Sequence, residues 1–248
     1  MKKTYKVQEI LNKMKKLNNI EFKIKGETKE FDIDFSQKNI PHLLGLQYIN
    51  EKNNEMKGRT LLRNVISNNY SDEEILNKVE KNHGEKQMQN VKNRIDTFEA
   101  FMNNLEKGFI VEKTLDTKMN VNYLIIQSKK NEYYHLGIYS DENCDFILNF
   151  DELSEKEKDI IKTYFVEDNI EYFDKSNIIE EIQSISKYRD DKGDYIPFSF
   201  DEDKNIALLE EYERNKDFNY REFLKEFENN KENIWNVNKD EKDVYFER

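Results

Sequence analysis

The hydrophobic period of this sequence changes at Gly108, and that change constrains the fold more than any other feature. Before it, Val91, Ile95, Phe98, Phe101, Met102 and Leu105 recur at helical spacing, so residues 88–107 read as one amphipathic helix stopped by Gly108. After it come short runs rich in β-branched and aromatic residues, at 109–113, 122–128, 133–139 and 145–150, with polar connections between them. A long helix followed by a strand meander predicts an α+β fold with an antiparallel sheet.

The flanking segments are read in the same way. Val7, Ile10, Leu11, Met14 and Leu17 form one stripe, so the N-terminus is an ordinary amphipathic helix with lysines on its other faces. Phe22 and Ile24, then Phe31, Ile33 and Phe35, alternate with polar residues around Gly26, a hairpin signal. Pro41 opens a short apolar segment that Gly45 interrupts. Ser71 and Glu74 form a capping box for a helix running to about Asn82. Ser154 and Glu157 look like a second box, with the run toward Phe165 continuing as helix or ending as a strand. Gly193 and Pro197 mark residues 187–205 as a loop. Residues 205–229 read as helical through Leu208, Leu209, Tyr212, Phe223, Leu224 and Phe227, and Trp235 is expected to dock the end of the chain. The expected architecture is therefore N-terminal helices packed on a small antiparallel sheet over residues 1–175, followed by an acidic, mainly helical extension over 176–248.

Charge sharpens that division. The formal net charge is −11, but residues 151–248 hold 29 acids and 16 bases, whereas residues 1–150 hold the other 22 acids and 24 bases. The front of the chain can approach a polyanion, and the back would be repelled by one. The lone cysteine, Cys144, permits no intrachain disulfide and suits a reducing compartment, so a cytoplasmic location is expected. No apolar run approaches the roughly 20 residues of a membrane-spanning helix, and no membrane partner is expected.

Familiar catalytic signatures are missing: there is no P-loop, dinucleotide glycine fingerprint, HExxH, GxSxG or EF-hand loop. Two of the three histidines stand out by setting. His42 lies in the apolar segment from Pro41 to Leu46, and His135 lies mid-strand with Gly137 two residues on, leaving room on the same face for something to approach. Each reads either as a hydrogen-bonded, half-buried histidine or as a proton-transfer group working near neutral pH. His83, in a polar connection before Gly84, reads as a turn residue.

The segments HLLGLQYI (42–49), VKNRIDTFEAFMNNLEKGFIVEKT (91–114), NYLIIQSKKNEYYHLGIY (122–139) and KTYFVEDNIEYF (162–173) together resemble one family. This is the phage and mobile-element branch of the barnase/EndoU/colicin/RelE-like nucleases with an H-L-x-G-L motif, and the resemblance spans about residues 20–175. It implies helices followed by a small antiparallel sheet and a ribonuclease activity that needs no metal and no cofactor. His42 and Gly45 match the first motif, His135 and Gly137 the strand motif, and Thr163 and Phe165 the last motif, which is Glu-Thr-Phe-like in the family. Here Lys162 stands where that motif has glutamate, a charge reversal. The resemblance thus implies His42, His135 and Thr163 as catalytic residues, with Tyr134 and Lys162 against the substrate phosphate. Cleavage of RNA without metal needs a base for the 2′-OH, an acid for the leaving 5′-oxygen and cations around the phosphate, which these residue types can supply. RNA is the expected partner, and the role that of a toxin or mobile-element effector. The alternative is a nuclease fold that has lost catalysis and binds a host or defence protein through its acidic C-terminal region as a nucleic-acid mimic.

Overall fold

The computed structural model describes residues 3–17, 20–35, 37–51, 56–115, 117–129, 132–140, 159–189 and 193–214. Helix α1 (Lys6–Lys16) has no cap from its own N-cap residue; instead the carboxylate of Asp72 accepts the N–H groups of Lys6 and Val7 at 3.1 and 2.9 Å. Asp72 opens α4 (Asp72–His83), whose Ser71–Glu74 capping box forms as the sequence predicts. One pair of adjacent residues thereby terminates two helices. Helix α3 (Gly58–Ser67) precedes α4, and α5 (Glu85–Met102) follows it, turning through a short 3-10 segment into Gly108.

The strands form two antiparallel sheets rather than one small one. The first has the order β2-β1-β8-β9, from the expected hairpin β1 (Glu21–Lys25) and β2 (Glu30–Asp34) joined by β8 (Ser184–Arg189) and β9 (Asp194–Pro197). The second has the order β6-β5-β4-β3-β7, built from the meander β3 (Phe109–Glu112), β4 (Tyr123–Lys129) and β5 (Glu132–Tyr139) with β6 (Ile160–Glu167) and β7 (Ile179–Glu181). Among the described residues one parallel bridge, between Ile33 and Asp159, links the sheets at one end. At the other, Glu180 of β7 accepts the backbone N–H groups of Thr28 and Lys29, at 2.8 and 3.1 Å, and the Thr28 hydroxyl, fastening the β1–β2 turn.

The main core lies between the helices and the sheets: Val91, Ile95 and Phe98 of α5 meet Ile125, Leu136 and Tyr164 of the second sheet, together with Phe22 and Phe31 of the first. The opposite face of the second sheet is covered as well. Val111, Leu124, Ile126 and Phe165 pack there against Val121 and against Tyr172 of the one-turn α6 (Glu171–Asp174). Burial on both faces explains why β4 reads as a continuous apolar run instead of alternating.

Two expectations are corrected, and one left open is decided. Residues 187–205 are not a loop: they hold the end of β8, all of β9 and the start of α7 (Glu202–Arg214), with Gly193 (φ +64°) making the turn. Their alternation is carried by amphipathic residues, Tyr188 and Tyr195 stacking edge-on at 5.3 Å and the Lys187 ammonium lying 5.3 Å over Phe198, so hydrophobicity alone understates it. The part of the expected helical extension that is described, residues 176–214, contains three strands and one helix, because β1 and β3 each present an edge that these strands complete. The run toward Phe165 is strand β6. The strand expected at 145–150, the capping box at Ser154, residues 215–229 and Trp235 lie outside the described residues.

Candidate active site

Helix α2 (Ile40–Leu43) and the 3-10 turn Leu46–Ile49 are pinned by Leu43, Leu44 and Leu46, all fully buried. Between them Gly45 adopts φ +71°, the left-handed conformation. A Cβ on Gly45 would stand 3.0 Å from Val91 Cγ2 and 3.4 Å from Arg94 Cδ, so glycine serves both the turn and the close approach of α5. The carbonyl of His42 accepts the Gly45 N–H at 3.2 Å and Arg94 Nη1–H at 3.0 Å. That geometry accounts for the spacing of histidine and glycine in HLLGL.

The His42 side chain is exposed. Its pKa is lowered from the ordinary histidine value, first by partial desolvation and then by the positive charges of Arg94 and Lys57. Lys57 is the N-cap residue of α3. Arg94 stands three residues after Val91 and four before Phe98, on the apolar stripe of α5 itself. It is partly buried, and burial lowers its pKa, opposed by the nearby Tyr48 and Tyr164. Among the described residues no carboxylate pairs with it.

Helices α2 and α5 both lie against β6. From that strand Tyr164, fully buried, sends its hydroxyl to Thr97 Oγ1 at 2.8 Å. The Thr97 hydroxyl donates to the Asn93 carbonyl at 2.6 Å, so Tyr164 is the donor in its bond to Thr97. Tyr134 of β5 is on the same face; its hydroxyl donates to Glu132 Oε2 at 2.8 Å, and burial and then this carboxylate push its pKa up to about 12.

His135 lies on the other face of the sheet. It is 0% exposed, stacks on Phe165 at 4.5 Å with rings 1° from parallel, and meets the edge of Tyr172 at 5.4 Å. Among the described residues neither ring nitrogen has a hydrogen-bond partner of good geometry. Burial lowers its pKa to about 4, offset only in part by the backbone of Tyr133 and Phe165. The space expected beside Gly137 is filled: a Cβ there would stand 2.6 Å from Thr163 Cγ2 and 3.0 Å from Val121 Cγ1. Thr163 is the cross-strand partner of Gly137, and the Lys162 ammonium sits 3.9 Å over the Tyr139 ring. His83 ends α4 with a ring nitrogen 2.9 Å from the Asn50 carbonyl.

The structure therefore brings His42 together with Arg94 and Lys57 on the helical side, and His135 together with Thr163 on the far side. It does not bring the two prominent histidines into one cleft, because the sheet stands between them. Sequence reasoning passed over Arg94 and Lys57. The available signal for Arg94 was a cation within an apolar stripe. A cavity of about 270 Å³ opens elsewhere, among Ile10, Met14, Met102, Lys187, Phe198 and Phe200. Among the described residues no three His, Cys, Asp or Glu side chains converge as a metal site, and no helix is long and apolar enough to cross a membrane.

No curated protein and no solved structure matches the chain. A family model does, that of the phage-Barnase-EndoU-ColicinE5/D-RelE like nuclease4 proteins, over residues 6–204. The matched span runs from α1 into the first turn of α7 and takes in every strand of both sheets. This chain belongs to the phage-Barnase-EndoU-ColicinE5/D-RelE like nuclease4 family.

Proposed function

We propose that the chain is a metal-independent endoribonuclease, a cytoplasmic toxin or mobile-element effector, with His42 as its proton-transfer group. The observation that carries this reading is that, of the three histidines, His42 alone is exposed, and partial desolvation, then the positive charges of Arg94 and Lys57, favour its neutral imidazole. A neutral imidazole is the form that accepts a proton. In the reaction the 2′-oxygen of the ribose attacks phosphorus while its proton passes to the His42 ring. The bond to the 5′-oxygen breaks, that oxygen takes a proton from water, and the hydroxide so formed takes the proton back from His42. The products are a 2′,3′-cyclic phosphate and a 5′-hydroxyl.

The test is incubation of the folded protein with several RNAs in EDTA. Cleavage with 2′,3′-cyclic phosphate ends is expected, and His42→Ala should lose on the order of 10²-fold in rate. Intact RNA after prolonged incubation, or an active His42→Ala protein, would overturn the reading. A second reading, a nuclease fold without catalysis that binds a protein partner through acidic surface, is favoured by one observation. Two positions of the strand motifs are engaged internally, His135 under Tyr172 and Lys162 over Tyr139. That reading expects no cleavage by any form of the protein.

A further inference from the structure

Among the described residues Arg94 is a cation without an anion. Its guanidinium carries five N–H donors, yet its one described hydrogen bond goes to a neutral carbonyl, that of His42 at 3.0 Å. Burial makes the charged form costly. A partly buried arginine is ordinarily met by a carboxylate, and here none of the described carboxylates meets it. Its charged neighbours are positive: His42 when protonated, and Lys57 within range of His42. The sequence around the turn has the same sign, since residues 36–70 hold five bases (Lys38, Lys52, Lys57, Arg59, Arg63) and only two acids (Glu51, Glu55) in a chain of net charge −11. Of these bases Lys38, Lys57, Arg59 and Arg63 are exposed.

We infer that Arg94, with Lys57 and the His42 ring, forms an anion seat for a tetrahedral phosphoryl group. In the nuclease reading, on which only the identity of the natural ligand rests, that group is the phosphodiester being cut. The planar fork of the guanidinium takes two oxygens of one phosphate. The bond to the His42 carbonyl anchors the fork to the segment that carries the imidazole, so the phosphate and the proton acceptor are held by one turn. Gly45 is part of the same device, because its missing side chain lets the Arg94 stem lie against the turn.

The test uses the full chain and inorganic phosphate, with a 2′-deoxy dinucleotide as the uncleavable diester arm. The His42 ring resonances are followed by NMR, assigned through His42→Gln. The expected result is a saturable shift on adding phosphate and a rise in the His42 pKa when the seat is filled, since an anion then faces the ring. Arg94→Gln should weaken phosphate at least tenfold, the scale of losing a charge-assisted pair of hydrogen bonds. Arg94→Lys should fall between. Thermal melts of each variant report folding, and should Arg94→Gln not fold, the lysine variant and the wild-type titration decide alone. No saturable shift in the wild-type protein overturns the proposal, as does equal phosphate affinity in wild type and a folded Arg94 variant. The two readings fail separately. Protein that binds phosphate here but cuts no RNA refutes the nuclease reading only, and protein that cuts RNA without binding phosphate at Arg94 refutes this one only.

Discussion

His135 offers a measurement in which burial and protonation can be separated. The ring is fully enclosed, both nitrogens lack well-aligned partners among the described residues, and the folded-state pKa is about 4 against 6.5 for a free histidine. Between those values the unfolded chain binds a proton that the folded chain refuses, so stability falls as pH drops from 6.5 toward 4 and levels off below. The full difference corresponds to about 3 kcal/mol, and the portion lost between pH 7 and pH 5 is about 2 kcal/mol. Replacing the ring by leucine removes two unsatisfied polar atoms and a stacked pair of about 1 kcal/mol, terms that oppose each other. His135→Leu is thus expected to match wild type within about 1 kcal/mol at pH 7 and to exceed it by about 2 kcal/mol at pH 5. Urea unfolding of both proteins at the two pH values gives the double difference, in which the carboxylates common to both cancel. An equal loss of stability in the two proteins would refute a buried, neutral His135. If His42 alone carries proton transfer, the leucine variant also keeps its RNA cleavage.

Two further substitutions address the turn and the link between the sheets. Gly45→Ala should cost about 1–2 kcal/mol for the left-handed conformation, with more from the 3.0 Å approach to Val91, and should also reduce RNA cleavage because Arg94 is displaced. A urea midpoint and cleavage rate equal to wild type would remove that account of the motif. Glu180→Gln should cost on the order of 1–3 kcal/mol at pH 7. Desolvation raises the Glu180 pKa, but the hydrogen bonds from Thr28 and from the turn backbone outweigh it, and the net shift is downward. The stabilisation is therefore complete above the unfolded carboxylate pKa and lost as pH falls through the lower folded value, so variant and wild type should converge in acid; a gap that persists at pH 2 would count against the ion as its source.

What could be read in the sequence was whatever depends on near neighbours. The Ser71–Glu74 box joins residues three positions apart, and the α5 stripe and the β3–β5 meander need only their own periodicity. Strands β8 and β9 escaped because β8 is specified by the edge of β1, some 160 residues earlier, and its own side chains are amphipathic. The site was legible by halves. HLLGL pointed to His42 and Gly45, but Arg94 was hidden by its place among apolar residues. The strand period already set His135 opposite Tyr134 and Leu136. Which of those two faces the helices would cover is a tertiary fact, and it decides that His42 and His135 are divided by the sheet.

The pairing of β1 with β8 also bears on how this chain is made. A ribosome delivers the β1–β2 hairpin and all five helices α1 to α5 long before residues 184–189 emerge, so β1 waits with one edge unpaired, as β3 waits for β7. Contacts of such sequence separation form late and slow the overall rate of folding. During that interval the two edges are templates for other nascent chains, which makes crowding on one messenger a hazard for this protein. A chain released before residue 184 would keep the open edge of β1 permanently and should be recovered as aggregate.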